Sequence, residues 1–209
     1  MFTVETLSTL LSAALSSVEE HAEMLNALDS ATGDGDHGTA ILAAMRAAAN
    51  AAATKKGTLA EVLSAVGWAV MSESSGSTSS LTGSFYVGMS ESAHSDSLTT
   101  DETIAMFESG LKNVRLSTKA DVGDKTLMDA LIPAMDAMGA LRGTSASLAE
   151  IFAAAAEAAK NGAEATKSLV AKFGRARNLG ERVIGHTDAG AMSTAIIYSA
   201  FAAAAAGAK

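Results

Sequence analysis

Cysteine is missing from this chain, so disulfides and thiolate-bound metals are excluded, and a reducing, cytoplasmic setting is expected. Proline occurs once, at Pro133, and aromatic residues make up only 4%. The 48% that is hydrophobic is mostly Ala, Leu and Met. Ala is the best helix former and too small to hold elements far apart, so closely packed helices are expected. No run of β-branched residues reads as a strand, and no repeat of fixed period occurs. Positive charge is also scarce: the net charge of −8 argues against a nucleic-acid partner bound through its phosphate backbone. Residues 1–5 lack a basic region and an apolar core, so no secretory signal is expected. The weakly apolar stretch 189–208 holds Ala, Gly, Ser, Thr194 and Tyr198 and suits a buried helix better than a membrane span. A single domain, residues 1–209, is expected.

What is present is helical patterning between polar loops. Val4, Leu7, Leu10, Leu11, Ala14, Leu15 and Val18 recur at steps of three and four, which predicts a first helix running to about Leu28. A second is predicted from Asp36 or His37 to about Ala53. Capping boxes, Ser or Thr with Glu three positions on, open three others at Thr58, Thr99 and Ser147. The Ser147 helix is expected to run towards Lys172. A further helix should start near Leu81, another should contain Pro133, and a last one should begin at Ala191. Pro133 cannot donate to the carbonyl of Asp129, so a kink or a late start is expected there. The count is about eight helices.

The loop between the first two helices carries the chemistry. Asp29, Asp34, Asp36 and His37 crowd together with Gly33, Gly35 and Gly38. Like charges so close repel unless a cation or several donors compensate, and carboxylates without thiolates suit a hard cation such as Mg²⁺. A solvated turn with Asp as a helix cap needs only one of the three. An EF-hand is excluded, because counting from Asp34 the fifth position is Gly38 and the twelfth is Met45. An Asp-x-Asp phosphatase would place its first Asp after an apolar strand, and none precedes it. Two other loops are chemically rich. Residues 72–80, dense in Ser and Thr, precede a helix and suit either a phosphate loop or a flexible linker. Residues 173–190 break the helical pattern and hold Arg175, Arg177, Glu181, Arg182, His186 and Asp188; basic groups there can reach an acidic loop or a phosphate.

Four segments in order resemble the nucleotide-binding subunit or domain of dihydroxyacetone kinases, the DhaL type. They are Asp29 with Gly33-Asp34-Gly35-Asp36-His37-Gly38; Gly76-Ser77-Thr78-Ser79-Ser80-Leu81-Thr82-Gly83; Gly123-Asp124-Lys125-Thr126-Leu127; and Gly174-Arg175 through His186-Thr187-Asp188-Ala189-Gly190. The resemblance implies an all-α, barrel-like bundle of eight antiparallel helices with ADP or ATP and two Mg²⁺ at one end. It implies that Asp29, Asp34 and Asp36 ligate the metals. His37, Gly38, Thr39, Ala40, Ser77 and Thr78 would lie at the nucleotide, Leu127 at the base, Arg175 at a phosphate, and Asp188, Ala189 and Gly190 at the nucleoside. No protein nucleophile is needed for phosphoryl transfer. Lys125 is expected to cap or to pair with the flanking Asp124 and Asp129, and His186 to be a satisfied structural imidazole. The implied partners are a ketose-binding, DhaK-type subunit and, in phosphoenolpyruvate-dependent systems, a DhaM-type phosphocarrier, with no membrane involved. Ser79, Thr82 and Ala189 depart from the usual family residues, which leaves four-carbon ketoses open as substrates. An ADP-loaded regulatory module and a metal-dependent phosphohydrolase are the alternative functions.

Overall fold

The computed structural model describes residues 1–73 and 76–207; Ser74 and Ser75 of the hydroxyl-rich stretch lie outside them. Eight α-helices occur among the described residues: α1 Val4–Ser30, α2 His37–Thr54, α3 Leu59–Glu73, α4 Ser77–Ser90, α5 Thr100–Ser117, α6 Met128–Gly139, α7 Leu148–Ala165 and α8 Ala189–Gly207. Each packs on its neighbour in the chain, and α8 returns to α1, which closes the ring into the expected barrel-like bundle. Short connections make consecutive helices from α1 to α7 antiparallel; the long segment 166–188 joins α7 to α8. By length and composition α8 could cross a membrane; in the bundle it buries Ala191, Ile196, Tyr198 and Phe201 and packs on α7 and α1.

The scarce aromatics are spent in one place. Phe107 makes edge or tilted contacts with Phe2, Phe85, Phe152 and Tyr198, and Phe201 extends the cluster from Phe152 and Tyr198. Of the aromatic residues only Trp68 and Phe173 are exposed. Around this centre the helices meet through Ala, Leu and Met, which set short interhelical distances.

All three expected capping boxes form. The Thr58, Thr99 and Ser147 hydroxyls accept the backbone N–H of Glu61, Glu102 and Glu150, whose carboxylates return to the cap N–H at 2.8, 2.7 and 2.8 Å. Thr99→Ala should therefore lower unfolding stability by about 1 kcal/mol, read as a shifted urea midpoint at unchanged slope.

Two boundaries differ from the sequence reading by a helical turn or more, and α8 begins slightly early, at Ala189 rather than Ala191. Helix α4 begins at Ser77 rather than near Leu81, because Ser79 and Ser84 are buried in the packed helix; tertiary packing overrides the weak helix propensity of Ser and Thr. Helix α7 stops at Ala165, short of Lys172. The Thr166 hydroxyl there bonds back to the carbonyl of Ala163 and receives the N–H of Asp188, so long-range contacts end the helix. Pro133 sits inside α6, and the backbone of α7 lies so close to the Asp129 carbonyl that a Cβ at Gly162 would collide with it.

Candidate metal and phosphate site

The acidic loop is pre-shaped by its first carboxylate. Oδ2 of Asp29 accepts the backbone N–H of Gly35 at 2.8 Å and of Asp36 at 3.1 Å, which folds the chain back on the end of α1. Gly35 takes φ +80, a conformation that favours glycine. A Cβ at Gly33 would strike the Asp29 carboxylate. As a result Asp29, Asp34 and Asp36 each present a carboxylate oxygen within 4.8 Å of the others. An all-oxygen, all-anionic donor set of this spread fits Mg²⁺, which takes a few carboxylates and completes its shell with water and phosphate oxygens.

Helix starts converge beside this cluster. His37 opens α2; its Nε2 lies 2.9 Å from the Ser193 hydroxyl in α8, and its Nδ1 lies 3.3 Å from the Thr78 hydroxyl near the start of α4. The imidazole therefore links the N-terminal turns of three helices. Burial holds its pKa below the ordinary value against the pull of Asp29, so the neutral ring is favoured. Helix N-termini carry partial positive charge and unpaired N–H groups, which suit phosphate. Gly38 lets α2 approach α1: a Cβ there would collide with the Ala22 carbonyl and come within 2.9 Å of Asn26 Oδ1. Asn26 also bonds Thr39, receiving its N–H at 3.0 Å and donating to its hydroxyl at 3.1 Å.

Arg175 crosses from the long loop after α7 and forms an ion pair with Asp34. Asp188 caps α8 by accepting the N–H of Ala191 at 2.8 Å. Ala189 is buried, and the open face of Gly190 lies against Leu127, whose Cβ would be 3.3 Å from a Cβ at Gly190. The structure thus joins Asp29, Asp34, Asp36 and Arg175 in one group and His37 with Thr78 in another, and it places Leu127 on Gly190. Ser77 is the exposed first residue of α4. Ala40 spends its N–H on the Asp36 carbonyl.

Two expectations are corrected. Of the two roles expected of Lys125, pairing with a flanking carboxylate does not form, while its ammonium does cap a helix end, at the Thr166 carbonyl that closes α7. Asp124 is taken by Lys172 at 2.6 Å, which holds its carboxyl below the usual range. Asp129 accepts the N–H groups of Gly123 and Thr126, both at 2.7 Å. Lys125 turns inward instead and donates to the backbone carbonyls of Thr166 and His186. His186 is not a structural imidazole: its side chain is exposed, and its backbone makes the contacts, the carbonyl accepting from Lys125 and the N–H donating to the Val183 carbonyl at 3.2 Å. Ser193 as the partner of His37 and Asn26 as the partner of Thr39 carry no local signal in the sequence.

Asp188 keeps an edge to solvent, yet burial pushes its carboxyl up to about 6, aided by Asp129 and Asp29 and opposed by the Ala191 N–H and Lys125. An unfolded Asp titrates near ~3.9, so the folded state binds this proton more tightly and stability falls as pH rises from about 4 to 6. Asp188→Asn keeps an acceptor for the helix cap. Without nucleotide or divalent ions, this variant should melt above the wild type at pH 7.5 and together with it at pH 4. Thermal denaturation across that range checks the sign.

A separate depression of about 630 Å³, lined by Val4, Ser8, Lys55, Lys56 and Asp96, lies at the opposite end of α1. It contains none of these groups.

Fold and site together define a closed all-α barrel with an acidic oxygen-donor cluster and converging helix starts at one end. The DAK2 domain family matches residues 31–203, and the chain belongs to that family, alongside its DhaL-type members. It is 34% identical over 181 residues to the ADP-binding subunit DhaL of PEP-dependent dihydroxyacetone kinase 2 of Listeria innocua, covering 85% of this chain and 83% of that one. It is 32% identical over 191 residues to a D-erythrulose kinase of Mycolicibacterium smegmatis, covering 88% of this chain and 32% of that protein. The crystal structure of the dihydroxyacetone kinase from C. freundii in complex with AMP-PNP and Mg²⁺ superposes with a TM-score of 0.74 at 25% identity, over 94% of this chain and 33% of that one.

Proposed function

We propose that residues 1–209 form the nucleotide-bearing domain of a cytoplasmic short-chain ketose kinase. It passes a phosphoryl group from ADP- or ATP-linked chemistry to a ketose held on a partner subunit. The observation that carries this reading is the convergence of Asp29, Asp34 and Asp36, distant from one helix face in sequence, into one cluster that Arg175 reaches. Two Mg²⁺ held there would neutralise charge spreading over the transferred phosphoryl group. Arg175 adds a positive charge at the same place. The first turns of α2 and α4, with His37, Gly38, Thr39, Ala40, Ser77 and Thr78, accept the phosphates. Leu127 and residues Asp188, Ala189 and Gly190 form the base and nucleoside side. His37 has both ring nitrogens within reach of hydroxyl groups and acts as a brace, not as a general base. Phosphoryl transfer on this plan asks the protein for positioning and charge, not for a nucleophile.

The partner is a ketose-binding, DhaK-type subunit. Val170, Phe173 and Ile184 are exposed on the segments that flank Arg175 and the start of α8, and Val122 is exposed in the turn before α6. Apolar groups so placed suit a protein partner docked over the phosphate end. The donor is either free ATP or a DhaM-type phosphocarrier that recharges bound ADP. Both points are tested by mixing the purified chain with the ketose-binding subunit of a dihydroxyacetone kinase and following phosphorylation of dihydroxyacetone and of D-erythrulose. Product should form only when both proteins are present. Turnover with ATP alone identifies the exchanging mode, and turnover only with a phosphoenolpyruvate-fed phosphocarrier identifies the other. No product under either condition contradicts the kinase reading.

A further inference from the structure

The loop that carries Arg175 has little secondary structure of its own, only short 3-10 turns at Thr166–Ser168 and Arg175–Val183. Its placement is decided by the turn that precedes α6. Lys125 is 2% exposed and is the one non-glycine residue with positive φ among the described residues, at +59. For a residue with a Cβ this conformation is disfavoured, so its surroundings must over-determine it. What it achieves is visible in the contacts. The Lys125 ammonium donates to the Thr166 carbonyl at one foot of the loop and to the His186 carbonyl at the other, both at 2.5 Å. The same two feet are joined by the Gly185 N–H to the Lys167 carbonyl at 2.7 Å and by the Asp188 N–H to the Thr166 hydroxyl at 2.9 Å.

The residue before Lys125 holds the loop a third time. Asp124 receives the Lys172 ammonium at 2.6 Å, and its carbonyl receives the Lys172 N–H at 3.1 Å. Two consecutive residues of one turn therefore fix residues 166, 172 and 186, and Arg175 lies between those anchors. A buried ammonium whose hydrogen-bond acceptors are backbone carbonyls is an expensive way to fill space; an apolar side chain of the same volume would avoid the desolvation penalty. Burial does lower the Lys125 pKa, while Asp188 and Asp129 act to keep the group charged. With its donors turned to the loop feet, Lys125 is not aimed at the acidic cluster.

We propose that Lys125 is a positioning residue: it clamps the two feet of the 166–186 loop so that Arg175 is held over the acidic cluster, and its effect on ligand binding is exerted through Arg175. The consequence for the ligand rests on the nucleotide reading above; the clamp itself does not.

The test uses the full chain with Lys125→Met, Arg175→Ala and the double variant, with Lys125→Gln as a milder change. Amide hydrogen exchange without ligand should rise at least tenfold across 169–186 in Lys125→Met, while α1, α2 and α7 keep their protection. Calorimetric titration with ADP and Mg²⁺ should show a loss of about 10-fold to 100-fold in each single variant, the range seen when a residue supporting a site is removed. The double variant should bind within twofold of Arg175→Ala, because groups acting through one contact do not add. A lysine that only stabilises the bundle predicts the opposite: protection lost throughout, and losses that multiply. Unchanged exchange in 169–186, multiplying losses, or failure of both Lys125→Met and Lys125→Gln to fold each overturn the proposal. If no protein in the series, wild type included, binds ADP with Mg²⁺, the nucleotide reading fails while the exchange result still decides the clamp.

Discussion

Asp29→Asn should leave the protein folded and, if the proposed nucleotide site is right, remove at least about 100-fold of the affinity for Mg²⁺-nucleotide, in line with the loss of one charged ligand from a small carboxylate site. The substitution separates two jobs that one side chain performs. An amide oxygen can still accept the Gly35 and Asp36 N–H groups that Asp29 now receives at 2.8 and 3.1 Å, so the loop keeps its shape. What disappears is one of three negative charges whose oxygens lie within 4.8 Å. Without ligand that change relieves repulsion, and the melting temperature should hold or rise. With ligand it removes the attraction for a divalent cation. Asp29→Ala loses the hydrogen bonds as well and should also lower the melting temperature. Calorimetry with ADP and Mg²⁺, paired with thermal denaturation, reads both effects. Equal affinity in wild type and Asp29→Asn would rule out a metal role for the loop.

Gly38→Val breaks the site from its packing side. Any Cβ at this position meets the Ala22 carbonyl and Asn26 Oδ1, and a branched one adds two methyl groups. Helices α1 and α2 must move apart at the end that delivers the acidic loop. Overpacking of this sort typically destabilises by about 1–3 kcal/mol. The displaced partner is backbone and not a flexible side chain, so the upper end is expected, seen as a fall in melting temperature. The separation also pulls Thr39 from Asn26 and shifts His37 against Thr78 and Ser193. Nucleotide binding should fall by a further factor of about ten or more, since sub-ångström placement controls such sites. Gly38 therefore matters here for helix approach, whichever ligand atoms lie beside it. A Gly38→Val protein with wild-type melting and binding would contradict the packing account.

Much of this architecture is legible in the residues themselves. The three capping boxes at Thr58, Thr99 and Ser147 are local signals, three residues long, and all form. The acidic cluster was legible because Asp29, Asp34 and Asp36 cannot share a helix face; Asp34 and Asp36 lie on the turn as expected, whereas Asp29 stays in the last turn of α1. The paucity of aromatics pointed to a bundle of small residues, though not to the clustering around Phe107. What escaped the sequence is long-range in each case. Helix α7 ends at Ala165 although Ala-rich helical sequence precedes it, because Thr166 is claimed by Ala163 and Asp188. Helix α4 starts early because Ser79 finds a buried place in the packed bundle. His37 and Ser193 are 156 positions apart, with no pattern to join them. Lys125 inverts the ordinary expectation that a lysine beside two aspartates pairs with one of them: Asp124 and Asp129 are both taken, by Lys172 and by backbone N–H groups, and the ammonium goes inward.

Native mass spectrometry of the wild-type chain, titrated with ADP in the presence of Mg²⁺, probes the central claim directly. The account predicts a single added mass of one ADP with two magnesium ions, absent in Asp29→Asn under the same conditions. A spectrum that stays at the bare polypeptide mass with both components at millimolar concentration would contradict it.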